Sequence, residues 1–131
     1  MPPIIEASGL RERRRGGGGA SDRYGPPMAS FTVLYTKPEN DPEGFLQEYK
    51  TDHLAIAARF PKMTGFTTTV FTGTPRRTEP PYYVMFHGTW ASNEDLQEAM
   101  GDPSLMEASG HAMGMLQKYG NKAEMIIGDE A

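Results

Sequence analysis

Residues 41–61 read DPEGFLQEYKTDHLAIAARFP, with start and stop signals around a periodic apolar pattern. Asp41 is a capping residue, Pro42 suits a first turn, and Glu43 favours the positive end of a helix dipole. Phe45, Leu46, Tyr49, Ile56, Ala57 and Phe60 recur with a 3.6-residue period, and Pro61 stops the pattern. The spacing predicts one helix from Asp41 to Phe60.

The flanks of that helix read as strands. Phe31–Thr36 (FTVLYT) is β-branched and aromatic, and residues 65–72 (GFTTTVFT) share that character. Residues 73–81 (GTPRRTEPP) are a loop of turn formers, and Tyr82–Trp90 (YYVMFHGTW) is a third strand. Ser92-Asn93-Glu94-Asp95 is a capping pattern, and Gly101-Asp102-Pro103 interrupts the helix it starts. The helical pattern resumes through Leu105, Ala108, Ala112, Leu116 and Tyr119 to a C-cap at Gly120. Residues 122–128 (KAEMIIG) close the chain as a strand. The order βαββαβ is the ferredoxin-like α+β arrangement with a four-stranded antiparallel sheet. Right-handed crossovers put both helices on one sheet face.

The other face sets the expected assembly. Alternation gives Tyr82, Val84, Phe86 and Trp90 one side of strand three, and Tyr83 and Met85 the other. Strand one sets Phe31, Val33 and Tyr35 against Leu34. A sheet apolar on both sides is covered on both sides, and two helices cover only one. A second copy of the sheet would cover the other, which predicts a homodimer packed sheet to sheet.

Composition narrows the function. The 131 residues hold no cysteine, which excludes disulfides and thiolate-ligated metals and fits a cytoplasmic setting. Residues 1–29 carry five Arg against Glu6, Glu12 and Asp22, a balance of +2. With −4 for the whole chain, −6 remains on residues 30–131. An acidic domain is a poor match for phosphate backbones, so nucleic acid is not an expected partner. No apolar run is long enough to cross a membrane as a helix, so none is expected there either. Residues 1–29, with Gly16–Gly19 inside them, read as a flexible extension to a 30–131 domain. A translation start at Met28 and a basic arm for an acidic partner are the other readings of that segment.

The chain has three histidines. His53 lies four residues after Tyr49 and three before Ile56, on the inward helix face with Leu46, Ala57 and Phe60. An imidazole there needs hydrogen-bond partners or a cavity. A core histidine, a pocket acid or base, and a metal or haem ligand are all open readings on the residues alone. No paired-carboxylate or HExxH pattern accompanies it, so no protein metal site is expected. His87 is in phase with Tyr83 and Met85 and lines either the same pocket or the opposite face. His111 lies off the apolar stripe of the last helix and reads as exposed. Tyr35, Tyr49 and Tyr83 are candidate pocket donors.

The run Phe45-x-x-x-Tyr49-x-x-x-His53-Leu54-x-Ile56-Ala57 resembles the first-helix motif of the EthD-like family. Gly65-Phe66, the strand ending at Trp90, and Gly101-Asp102-Pro103-Ser104 are similar to the family as well. The resemblance spans residues 31–128. It implies a dimeric α+β barrel with a pocket between helices and sheet, in a family named for ether degradation and loosely classed with oxidoreductases. Similar barrels include cofactor-free monooxygenases, haem-degrading enzymes, lactone isomerases and polyketide cyclases. The family histidine falls on His53. The second family aromatic falls where this chain has Glu48 or Lys50, and the usual proline falls on Ala55. The expectation is a small-molecule oxidoreductase or accessory catabolic enzyme acting on an apolar or aromatic metabolite, with His53 as proton donor or acceptor and no cofactor. The alternatives are a noncatalytic ligand-binding or stress-response dimer, and a haem-binding barrel.

Overall fold

The computed structural model describes residues 28–131, so the Arg- and Gly-rich stretch before Met28 lies outside the described residues. The elements run β1 (Ala29–Tyr35), α1 (Pro42–Glu48), a π-helical turn (Tyr49–His53), α2 (Leu54–Ala57), β2 (Met63–Val70), β3 (Val84–Trp90), α3 (Asn93–Met100), α4 (Pro103–Tyr119) and β4 (Ala123–Asp129). The sheet order is β2-β3-β1-β4 with every neighbouring pair antiparallel, the ferredoxin-like α+β arrangement.

Local chemistry explains the element ends. The Gly44 N–H donates to Asp41 Oδ1 at 3.0 Å, and Asp41 holds a left-handed φ of 46° that its short side chain tolerates. Ser92 Oγ accepts from the Asp95 N–H at 3.1 Å, and Asp102 accepts from the Ser104 N–H at 2.9 Å. Gly120 ends α4 at φ 68°, a conformation that suits glycine.

The first helix departs from the expected single α-helix. The Leu54 N–H bonds to the Tyr49 carbonyl, five residues back. Within this segment the Thr51 hydroxyl donates to the Gln47 carbonyl at 2.9 Å, a local bond that competes with the α-helical ladder. Such wide turns sit inside α-helices and recur at functional sites. Here the turn carries Tyr49 and His53 inward, both buried.

The core lies between the helices and one sheet face. Phe31, Val33 and Tyr35 alternate inward on β1, and Val84, Phe86 and Trp90 do so on β3. Trp90 is fully buried and donates its indole N–H to the Pro61 carbonyl at 2.8 Å. Strand β3 begins at Val84, two residues later than predicted. Tyr83 precedes it, with its ring centroid 6.4 Å from Phe45, so it does not join Met85 on the outer face. Tyr82 is half-buried, and its hydroxyl donates to Glu124. The outer face is therefore less apolar than the alternation predicted. It carries Leu34, Met85 and Ile126 among Thr32, Thr67, Thr69, Thr89 and His87.

Candidate functional site

Three elements converge on the inner face of β1. The strand ladder fixes Tyr35 at the end of β1, with Phe45 and Tyr49 packed against its ring, each with centroids 5.5 Å away. The π turn presents His53, and α4 presents His111. Tyr35 Oη lies 3.3 Å from His53 Nε2, and His53 Nδ1 lies 3.0 Å from His111 Nδ1. His111 Nε2 is 3.3 Å from Glu48 Oε2. Glu48 Oε1 accepts from the Tyr119 hydroxyl at 2.9 Å and from Lys118 Nζ at 3.2 Å.

The two imidazole planes differ by 17° and their centroids are 5.2 Å apart. That separation is the N···N distance plus a ring radius at each end. The rings therefore meet edge to edge, nearly in one plane, as an N–H···N hydrogen bond requires. With Glu48 ionised, one proton arrangement satisfies every group in the chain. Tyr35 O–H donates to His53 Nε2, His53 Nδ1–H donates to His111 Nδ1, and His111 Nε2–H donates to the Glu48 carboxylate. These tautomers follow from the partners.

Electrostatics fits that arrangement. Burial, and then the neighbouring His111, push the His53 pKa down to about 4, against a weaker upward pull from Glu48. His53 is therefore neutral near pH 7. Burial, with Tyr49 adding, raises the Tyr35 hydroxyl well above its ordinary range, so it keeps its proton. The Tyr119 hydrogen bond, against burial, and then Lys118 hold the Glu48 carboxyl below its ordinary range.

Beside Tyr35 and His53 lies a cavity of about 210 Å³. The sheet supplies Phe31, Val33 and Phe86, and α4 supplies Leu105 and Ala108. Ser109 is the further polar residue on the wall. Met113 and Met125 also line it, 63% and 64% exposed, and form a flexible apolar rim.

The other predicted site residues separate. Tyr49 sits behind His53, with ring centroids 5.7 Å apart. Its hydroxyl is paired with Thr68 Oγ1 at 2.8 Å, and burial pushes its pKa up to about 12. Tyr83 is outside the cavity, its hydroxyl 3.5 Å from the Pro42 carbonyl. His87 is on the opposite sheet face, because Val84 and Phe86 take the inward positions of β3. Its Nδ1 pairs with Thr32 Oγ1 at 3.0 Å, and burial lowers its pKa.

His111 corrects the expectation of an exposed side chain: it is half-buried against His53. The spacing held the signal. His111 follows Ala108 by three and precedes Met115 by four, and both are buried. Glu48 occupies one of the two positions where the family motif would set an aromatic, and it closes the chain instead.

Glu48, Asp52 and His111 also bring one ligand atom each within 4.8 Å of one another. Lys118 already supplies positive charge to Glu48 there, so the cluster is accounted for without a cation. Haem ligation does not fit His53, since Tyr35 and His111 engage both ring nitrogens. No described helix is long and apolar enough to cross a membrane.

No family model matches the chain, and no curated protein matches it by sequence. Solved structures do. An ethyl tert-butyl ether degradation (EthD) family protein from Bacillus halodurans is 26% identical at a TM-score of 0.71, over 79% of this chain and 99% of that one. A dimeric ferredoxin-like protein of unknown function from Thermobifida fusca is 8% identical at 0.61, over 81% and 93%. SnoaB, a cofactor-independent oxygenase from Streptomyces nogalater, is 16% identical at 0.55, over 80% and 94%. The EthD resemblance of the first-helix motif thus extends to the three-dimensional structure, and the fold is one found in a dimeric protein and in a cofactor-independent oxygenase.

Proposed function

We propose that this chain is an EthD-like enzyme, of oxidoreductase type, that takes an apolar or aromatic metabolite into the cavity beside Tyr35 and His53. One observation carries the reading: a largely apolar cavity has a hydrogen-bonded Tyr–His pair on its wall. Few, convergent polar groups on an apolar wall orient a ligand and act on its one reactive site. An apolar cavity of about 150 Å³ holds benzene. At about 210 Å³, this one suits a substituted single ring. His53 exchanges protons while neutral, taking one on Nε2 as it gives one up from Nδ1. No cofactor is required for that step, and a cytoplasmic setting belongs to the same reading.

The test is aerobic incubation with a panel of substituted phenols and hydroxyquinones, followed by mass spectrometry. At least one compound is expected to turn over, and His53→Gln is expected to slow it by about a hundredfold or more. Unchanged turnover in His53→Gln would remove the proton-transfer role.

The depressed basicity of His53 favours a second reading, a noncatalytic binder that sequesters the same kind of ligand. A ligand recovered unaltered after long incubation with the protein would support it.

Two chains packing their outer sheet faces, with Leu34, Met85 and Ile126 at the contact, complete the proposed assembly. Light scattering is expected to give twice the 14.5 kDa chain mass, and Leu34→Asp to give a monomer. A monomeric parent would contradict the sheet-to-sheet dimer.

A further inference from the structure

A buried imidazole that is neutral at neutral pH cannot store a proton taken from the cavity. It must release one from its other nitrogen at the same time. His53 has an outlet for this, since its Nδ1 faces His111 Nδ1 at 3.0 Å and His111 Nε2 faces Glu48 Oε2 at 3.3 Å. The Glu48 side chain is 22% exposed, so the line that begins beside the cavity ends at solvent. We propose that His111 and Glu48 are the proton conduit of this site, connecting the Tyr35–His53 pair to water. This rests on the reading of the cavity as an acid–base site.

The proton balance closes at each link. The substrate gives a proton to the Tyr35 oxygen as the tyrosyl proton moves to His53 Nε2. The His53 Nδ1 proton moves to His111 Nδ1, and the His111 Nε2 proton moves to Glu48 Oε2. The substrate is left as an anion, Glu48 is left neutral, and no imidazolium remains in the apolar interior. Afterwards every bond still has one donor and one acceptor, with all donors reversed. The two states differ in the direction of the chain, and a proton passed inward from Glu48 along the same path, with Tyr35 giving its own proton to the substrate-derived anion, restores the first. Other ionisable groups face this line. Lys118 and Tyr119 reach Glu48 from α4, and Asp52 approaches Glu48 and His111 from the π turn. Tyr49 stacks behind His53. Lys118 and Tyr119 hold Glu48 in place for the His111 Nε2–H. They are positioning residues rather than links.

The conduit is testable without a substrate, by ¹⁵N NMR of the imidazoles in the full chain near neutral pH. His53 is expected to carry its proton on Nδ1 and His111 on Nε2, with ¹⁵N–¹⁵N coupling between the two Nδ1 atoms. Glu48→Gln and His111→Gln both keep a hydrogen-bond acceptor, but neither can pass a proton on. Each is expected to slow solvent exchange of the His53 Nδ1 proton by about tenfold or more, with backbone amide exchange unchanged. Glu48→Gln changes a part-exposed side chain, so it serves if His111→Gln fails to fold. A His53 proton on Nε2, or unchanged exchange in Glu48→Gln, would overturn the conduit. A purely structural role for the pair predicts unchanged exchange. Neither readout involves turnover, so this result and the His53→Gln activity result fail independently.

Discussion

Replacing Trp90 with alanine is expected to cost about 3–5 kcal/mol, the range for removing a large buried aromatic. Trp90 is fully buried, and its backbone pairs with Ala29 on one side and Met63 on the other. Its indole N–H also satisfies the Pro61 carbonyl just beyond α2. The substitution therefore opens a cavity and leaves an acceptor unpaired in one step. For a domain of this size, that loss lowers the thermal midpoint by about 15–30 °C. It is also a large fraction of a typical domain's stability. Trp90→Phe keeps most of the packing and loses the hydrogen bond, for an expected cost of about 1–2 kcal/mol. Circular dichroism suits the test, because Trp90 is the chain's only tryptophan and its fluorescence disappears with it. A midpoint within a few degrees of the parent would mean that Trp90 does not close this end of the core.

The second large effect is a loss of stability in mild acid. His53 titrates near 6.5 in the unfolded chain, and burial first, then His111, lower it to about 4 in the fold. Between those values the unfolded chain binds the extra proton, so stability falls as pH falls. The contribution is complete above about pH 6.5 and is lost progressively down to about pH 4. The gap corresponds to about 3 kcal/mol. His87 on the outer face acts in the same direction, because burial lowers it too. Glu48, held below the ordinary carboxylate range, loses its own contribution only at lower pH. Urea titrations across this window are expected to show a steep pH dependence in the parent chain and a flatter one in His53→Gln. Equal slopes would mean that His53 is not buried as a neutral ring.

Both effects come from elements that the sequence makes legible to different degrees. The order of strands and helices is written in local signals. Asp41-Pro42, Ser92, Asp102-Pro103 and Gly120 each cap or end a helix through contacts within a few residues. Alternation on β1 and β3 marks the inner face for the same reason. Strand ends are less legible: β2 starts at Met63 with an irregularity before Gly65, and β3 starts only at Val84, because Tyr83 packs against Phe45. The π turn is not legible, since the competition between the Thr51 hydroxyl and the helix ladder is settled by geometry rather than pattern.

The site divides in the same way. Helical spacing turns His53 inward, and β1 alternation turns Tyr35 inward. The partnership of His53 with His111 depends on how α4 lies across the π turn, which no local pattern encodes. His111 carried a spacing signal of its own, in Ala108 and Met115, but lay outside the apolar stripe by residue type. Glu48 is one of the two positions where the chain departs from the family motif, and the departure supplies the carboxylate at the end of the line. His87 was ambiguous in phase, and the strand register resolves it to the far face.

Under the proposed function, the apolar cavity beside Tyr35 and His53 is the ligand site. Titration of the ¹⁵N-labelled chain with phenol reads out where a small aromatic ring binds. Shift changes are expected at Tyr35, His53, Ala108 and Met113, with nuclear Overhauser contacts from the phenol ring to the Val33 and Ala108 methyls. Contacts confined to the outer sheet face, around Leu34, Met85 and Ile126, would contradict the claim.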